Sequence, residues 1–577
     1  MKILFINTEL YNDFWGGYNR DKQLKDVFMN KEFGVCPPMG LLYILSYLRK
    51  YYEKDLSLEL IDLRLEMVKY YLNGGKDETT VDEFLHEIIE TNIKRFKPDL
   101  IALSVLFDAS AELAEDVCKI TKGICGNAKI IMGGFYCSNR YGYLLKNDLC
   151  DFVCIGEGER PLLWLVQNEL DPDMSITGIV SKEQFLKNTH TLEKDFLDEL
   201  DEIPWPAYDI FDDRDMELYL VNQLASPNIS GQRERTGVFM TSRGCPRRCT
   251  FCGTTTIHGH KFRKRTANDV ISEIEHMVSR YKLDTIAILD DTFTLDKKRT
   301  VEILELIIKG DYGVGLQFPT GVDIRTLDEK VISLFKKAKV EDLHIAVESG
   351  NQHVNSFILK KGLNLEKVKK TVALLEENGI NTSAFFMIGF PEETMEMINE
   401  SKEFAKDLGV IWISVNTPTP VFGSELYRDC LERGLIKEDY YKDKLFTEAY
   451  FSTDNFTAQE LPKIAYDFNI EVNFLYNKNI RTGKFDKILP RYLDISIRYP
   501  THIVTWVCLY YCYKQMGDDQ KRDEILRKIV ELYKEPGDDS VNIEAWVTGN
   551  ANLMFNKYRD DIYDLCPEFK NIPELSA

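Results

Sequence analysis

Three cysteines, Cys245, Cys249 and Cys252, lie in the stretch TSRGCPRRCTFCGTTTIHGHKFRKR with the spacing C-x3-C-x2-C. Thiolates so placed bind soft metal centres, and three of them fall one ligand short of a closed tetrahedral site. His258 and His260 follow closely and supply one completion, a Cys3His zinc site, although no second cysteine pair is near and both histidines also suit a solvated loop. The other completion lies outside the chain. A four-iron cluster held by three thiolates leaves one iron open to nitrogen and oxygen donors of a bound molecule.

These residues need elements to position them. The cysteines follow the apolar run VFMTS, the first of six strands expected to begin near Gly237, Asp284, Gly315, Leu343, Thr382 and Val410. Between them run helical patterns such as NDVISEIEHMVSRY, in which Val270, Ile271, Ile274, Met277 and Val278 share one face. Six strand–helix units predict an open, partial barrel with its chemistry at the carboxyl ends of the strands. The cysteines stand just after the first.

Upstream, residues 1–170 alternate strand and helix through KILFIN, MGLLYILSYLRKYY, LSLELID, VDEFLHEIIETNIKRF, LIALSVL, AELAEDVCKIT, KIIMGG and FVCIGEGE, the rhythm of a doubly wound parallel sheet. Ligands of such sheets sit at the strand carboxyl ends. There Gly133-Gly134 and Gly156-Glu157-Gly158 either admit a ligand to the backbone or simply make tight turns. Residues 171–235, with EIPWPAYDIFDD, read as a linker; 236–434 hold the barrel; 435–577 are predominantly helical, a domain that also suits a substrate cap. The run HIVTWVCLYYCYKQM is too short for a bilayer and reads as a buried helix. The fold class is α/β: an N-terminal Rossmann-like doubly wound domain, a partial (β/α)6 barrel and a helical C-terminal region.

Composition narrows the functions. A length of 577 residues allows about three or four domains. The net charge of −21 disfavours a general binder of nucleic acid or of anionic membranes. No membrane span is expected, and thirteen cysteines without paired spacing fit a reducing, cytoplasmic interior. The basic stretch Lys261, Arg263, Lys264 and Arg265 reads as a solvated loop face, or a contact for phosphate or an anionic substrate.

CPRRCTFC, with Phe251 before its last cysteine, resembles the signature of radical S-adenosylmethionine (SAM) enzymes, and the likeness runs through residues 236–430. ILDDTF at 288–293, GVDIRTLD at 321–328, AVESG at 346–350, MIGFPEET at 387–394 and TPTPVFGSELY at 417–427 match successive strand ends of that family. The resemblance implies a [4Fe-4S] cluster on Cys245, Cys249 and Cys252, its open iron chelated by SAM. It further implies backbone at Asp290 and Asp291 facing the SAM amino group with Thr292 also a cofactor-binding candidate, Arg325 near its carboxylate and Glu348 at its ribose, while Ile388 suits the adenine and Gly389 a close backbone approach. The N-terminal domain, through PPMGLLYILSYLR, LIALSVL, IIMGGFYCS and DFVCIGEGE, is similar to the cobalamin domain of the B12-binding subfamily, with Ser104, Gly133 and Gly134 against the cofactor. The D-x-H-x-x-G motif is absent, the domain's one histidine being His86, so cobalamin is expected without a protein imidazole ligand; the alternative is a vestigial domain holding none.

What this implies is an oxygen-sensitive enzyme that cleaves SAM reductively to a 5′-deoxyadenosyl radical, fed by an external donor such as flavodoxin or ferredoxin. The leading expectation is a cobalamin-dependent C-methyltransferase for a small-molecule or peptide substrate, with a second SAM supplying the methyl group. Non-methylating C–C chemistry, such as cyclisation or ring contraction, is the alternative with the same cofactors. A non-catalytic zinc or iron–sulfur protein is the alternative from another class.

Overall fold

KILFIN, apolar in its middle four positions, forms β1 (Lys2–Asn7), buried on both faces as the centre of a parallel sheet must be. The computed structural model describes residues 1–9, 20–24, 35–75, 78–106, 110–221, 234–440, 449–534 and 551–575. With β2 (Ser57–Asp62), β3 (Leu100–Ser104), β4 (Lys129–Gly133), β5 (Phe152–Cys154) and β6 (Ile179–Ser181) it builds a sheet of order β2-β1-β3-β4-β5-β6. All pairs are parallel except β5 with β6. The strand order reverses between β1 and β3, so a crevice opens there at the carboxyl edge. Thr8 bonds that edge together, its amide and hydroxyl both donating to the Ser104 carbonyl at 3.2 and 2.8 Å. Helix Val81–Phe96 shows why the flanking elements form: Thr80 and Glu83 make a reciprocal cap, and Phe84, Leu85, Ile89 and Ile93 share its buried face.

The stretch read as a linker is largely packed structure. Ile179–Ser181 adds an antiparallel edge strand, and Leu197, Leu200, Ile203, Tyr208, Met216 and Tyr219 are buried. Its prolines and acids disguised an apolar residue every few positions. The rest of that stretch, 222–233, lies outside the described residues.

The later strands are β7 (Thr236–Phe239), the ribbon of β8 (Ser242–Arg243) with β9 (Arg263–Lys264), then β10 (Thr285–Ile288), β11 (Gly315–Gln317), β12 (Asp342–Glu348), β13 (Asn381–Met387) and β14 (Trp412–Asn416). Six of them match the expected βα units, in two parallel three-stranded sheets, β11-β10-β7 and β12-β13-β14. The chain divides into two compact units: one takes the described parts of 1–226, 233–320 and 420–446, the other those of 321–419 and 447–577. One three-stranded sheet belongs to each.

In the second unit the helical region packs on its sheet. Asn473 both donates to the Ile413 carbonyl (2.7 Å) and accepts from the Ile413 amide (2.8 Å), and Asn479 donates to the Val410 carbonyl (3.0 Å). These side chains satisfy the edge that β14 would otherwise expose. Helix Ile503–Met516, from HIVTWVCLYYCYKQM, is buried on most of its surface, as expected. Among the described residues no helix is long and apolar enough to cross a membrane.

Candidate functional site

The three cysteines lie on the loop that leaves β8, each half-buried and free of any disulfide. Backbone bonds shape it: the Cys252 amide donates to the Cys249 carbonyl (3.1 Å) and the Cys245 amide to the Gly259 carbonyl (3.4 Å). Gly244, before the first cysteine, has φ +85°, and a Cβ there would stand 2.3 Å from the Lys261 carbonyl oxygen. Burial raises the Cys245 thiol, and the nearby Cys252 and Cys249 raise it further, against the lowering hydrogen bond from the Arg247 backbone. Three thiols within mutual electrostatic reach need a cationic centre to carry them as thiolates. Among the described residues no group of three or more His, Cys, Asp or Glu side chains stands close enough to share a single ion. A cubane cluster needs no such convergence, because each thiolate binds a different iron, so this donor set fits it.

The β8–β9 ribbon carries the loop, and the carboxylates after β10 hold the ribbon. Asp290 is fully buried and accepts from the Thr241 amide, the Thr241 hydroxyl and the Ser242 hydroxyl, all at 2.5 Å. Asp291 accepts from the Gly244 amide at 3.0 Å. Both predicted positions thus brace the cluster loop with their side chains, while the Asp290 carbonyl takes the Thr320 hydroxyl at 3.0 Å. Thr292 is buried beside them, and its hydroxyl has no hydrogen-bond partner. Phe251 is half-buried between Thr250, whose carbonyl accepts from Leu426 (2.8 Å), and Cys252.

Sequence reasoning named Glu157, His258 and Arg263 without seeing that they meet, and missed Arg243 and Glu159. Glu157, 6% exposed, accepts both arms of Arg263 at 2.8 and 2.5 Å and lies 3.2 Å from Arg243 and 2.7 Å from His258 Nδ1. Glu159 accepts from Arg243 at 2.7 Å. Burial would raise the Glu157 carboxyl, but the charge of Arg243 and the hydrogen bonds of Arg263 and His258 outweigh it and hold it well below the usual carboxylate range. Two buried carboxylates therefore face two buried guanidiniums. The basic stretch is accordingly no solvated face: Arg263 and Arg265 point inward, Arg265 to Glu273 and Asp269, while Lys261 and Lys264 stay exposed. The signal was present in the alternation of KFRKR, since residues two apart on a strand share a face.

The edge expected to hold cobalamin meets the same loop. Gly134 has φ +103°, and a Cβ would stand 2.4 Å from the Val105 carbonyl oxygen, so only glycine fits. Helix Phe135–Lys146 starts there, and its first ring fills the space beside Gly253: a Cβ on Gly253 would lie 2.4 Å from the Phe135 ring. Asn139, one turn on, donates to the Thr256 hydroxyl at 3.1 Å. Ser104, Gly133 and Gly134 line adjacent strand ends, with Ser104 opposite Gly133 in register. His86 stands exposed near Asp82 in its helix.

The second unit presents its own candidates. Glu348, ending β12 at a register shift, is a non-glycine residue at φ +70° and is ion-paired with Lys361 at 2.9 Å. Such backbone strain concentrates at functional positions. Arg325, expected near the SAM carboxylate, is paired with Asp323 at 2.8 Å on both arms, and its third donor meets the Lys361 carbonyl. After β13, Ile388 is fully buried and Gly389 has φ +97°, where Leu461 leaves no room for a Cβ. Glu393, also missed, is buried with one carboxylate oxygen accepting from the Gly389 and Phe390 amides at 2.7 and 3.3 Å, and the other oxygen unpartnered.

Comparison with known proteins agrees with this picture. The Radical SAM superfamily pattern matches residues 239–405, and the B12 binding domain pattern matches residues 26–166. The chain is 27% identical to the cytidylyl-2-hydroxyethylphosphonate methyltransferase of Streptomyces wedmorensis, over 76% of this chain and 86% of that one. It is also 27% identical to the anaerobic magnesium-protoporphyrin IX monomethyl ester cyclase of Rubrivivax gelatinosus, over 62% and 64%. Among solved structures, the cobalamin-dependent S-adenosylmethionine radical enzyme OxsB with aqua-cobalamin bound shares its fold, with TM-score 0.61 and 18% identity over all of this chain and 80% of that one.

Proposed function

We propose that the chain is a cobalamin-dependent radical SAM methyltransferase acting on an unactivated carbon of a small-molecule substrate, a reading supported by its matches to the Radical SAM and B12 binding domain patterns and by its methyltransferase relative. The observation that carries this reading is the contact between the Gly133–Gly134 edge and the cysteine loop, where the Phe135 ring lies against Gly253. A methyl carrier and a radical source that serve one carbon must be neighbours.

In this reading Cys245, Cys249 and Cys252 hold the cluster, with Phe251 covering it. Asp290 and Asp291 keep the loop in place, and Thr292 offers its unpartnered hydroxyl to SAM. The family resemblance assigns Glu348 to the ribose and Ile388 to the adenine, with Gly389 for close backbone approach. Arg325, already paired with Asp323, is left out. Ser104, Gly133 and Gly134 line the cobalamin, and no described histidine of that sheet domain offers a lower ligand. When bound, the cluster and SAM supply a carbon-centred radical and the cobalamin supplies the methyl group. We assign 1–170 to cobalamin and 236–434 to the cluster and SAM, with 435–577 contributing to substrate choice. A flavodoxin- or ferredoxin-class donor in the reducing cytoplasm suits a chain whose described cysteines are all free thiols.

The cyclase relative supports a second reading, in which the same cofactors serve C–C bond formation without methyl transfer. Products separate the two. Anaerobic turnover by a methyltransferase releases S-adenosylhomocysteine and 5′-deoxyadenosine together, whereas deoxyadenosine with little S-adenosylhomocysteine favours the second reading. Cys249→Ala is expected to abolish deoxyadenosine formation, and unchanged formation defeats the site assignment.

A further inference from the structure

The cluster loop and the cobalamin edge are joined by a continuous polar path. The Gly134 carbonyl accepts from the Ser138 hydroxyl (2.9 Å), and that hydroxyl accepts from the Gly156 amide (3.0 Å). Gly156 precedes Glu157, whose carboxylate holds Arg243, Arg263 and His258. Arg243 is separated from Cys245 by Gly244 alone, and Arg263 also donates to the His258 carbonyl (3.0 Å), next to the Gly259 carbonyl that takes the Cys245 amide. Every link is a hydrogen bond, an ion pair or a peptide unit within one compact unit.

The chemistry of this path is unusual for a structural seam. Apolar packing would join two loops at least as stably, because buried ion pairs lose in desolvation much of what they gain. What the two-on-two arrangement adds is geometry. Guanidinium forks bind carboxylates in few orientations, so the Glu157 turn and the β8–β9 ribbon move together or not at all.

We propose that this network is a coupling device: Glu157, Glu159, Arg243, Arg263 and Ser138 are positioning residues that make cobalamin binding and cluster assembly energetically dependent on each other. The inference rests on the reading that the chain holds both groups. Each group that binds orders one end of the path, so the second meets a chain already held. By linkage the effect is reciprocal: the factor by which the cluster tightens cobalamin equals that by which cobalamin tightens the cluster.

The test is an anaerobic titration of the full-length protein with aquacobalamin, followed by quenching of intrinsic fluorescence, in cluster-free and reconstituted forms. Reconstitution is expected to tighten cobalamin about fivefold or more. Glu157→Gln and Ser138→Ala are expected to bring that ratio to within about twofold of one. Ser138→Ala removes no charge and serves if the glutamate variant fails to fold. A wild-type ratio within about twofold of one, or a ratio unchanged in Ser138→Ala, overturns the coupling. Protein that takes up about four irons and cobalamin with no mutual effect sinks the coupling alone. Wild-type protein that takes up neither group sinks the family reading and the coupling with it.

Discussion

Glu393 gives a sharp test of the turn after β13. Its carboxyl is buried with no cation paired to it among the described residues, and burial pushes it from 4.5 up to about 7, only partly opposed by the Gly389 and Phe390 amides. A folded-state value above the unfolded one means that folding takes up a proton. The resulting stability is fully present below about pH 4.5 and is lost as the pH rises through about 7. A tenfold change in proton affinity is worth about 1.4 kcal/mol, so the wild type should lose about 2.5 kcal/mol between pH 5 and pH 8 through this residue. Glu393→Gln keeps an oxygen for the two amides, carries an amide toward the unpartnered side and does not titrate. The variant should therefore match the wild type near pH 5 and exceed it by roughly 2 to 3 kcal/mol at pH 8. Urea unfolding midpoints of both proteins, by circular dichroism across that range, make the measurement. A difference between the two proteins that stays constant from pH 5 to pH 8 refutes the argument, because it would mean that the carboxyl is already ionised in the folded protein.

Arg263→Met leaves a net negative charge buried between Glu157 and Glu159, and should cost about 3 to 5 kcal/mol in unfolding measurements, with much of it restored in the double variant Arg263→Met, Glu157→Gln. Asp290→Ala strips three donors of their acceptor under the cluster loop, and iron analysis after reconstitution should show less bound iron than in wild type. Gly134→Ala must adopt φ +103° against the Val105 carbonyl, with a cost of about 1 to 3 kcal/mol or more; thermal melts should fall, and cobalamin absorbance after gel filtration should drop with them.

The three-thiol loop was legible because its evidence is local. The spacing of Cys245, Cys249 and Cys252 sets how far three thiols on one loop can spread, and the apolar periods of KILFIN or NDVISEIEHMVSRY follow from the geometry of a single strand or helix. The strand ends follow from the same periods, whereas Asp290, Glu348 and Gly389 stand out only through the family resemblance of the segments that carry them. Partners separated along the chain were not legible. Arg263 reads as a surface cation until Glu157, 106 residues earlier, is folded against it. Arg325 looks available until Asp323 occupies its fork, and Asn473 has no visible role until its amide closes the edge of β14. Sequence alone determined the elements and offered three thiols as soft-metal donors, because both depend on neighbouring residues. The tertiary structure decided which charges are buried and whom they meet, because desolvation and pairing depend on the groups that folding brings together.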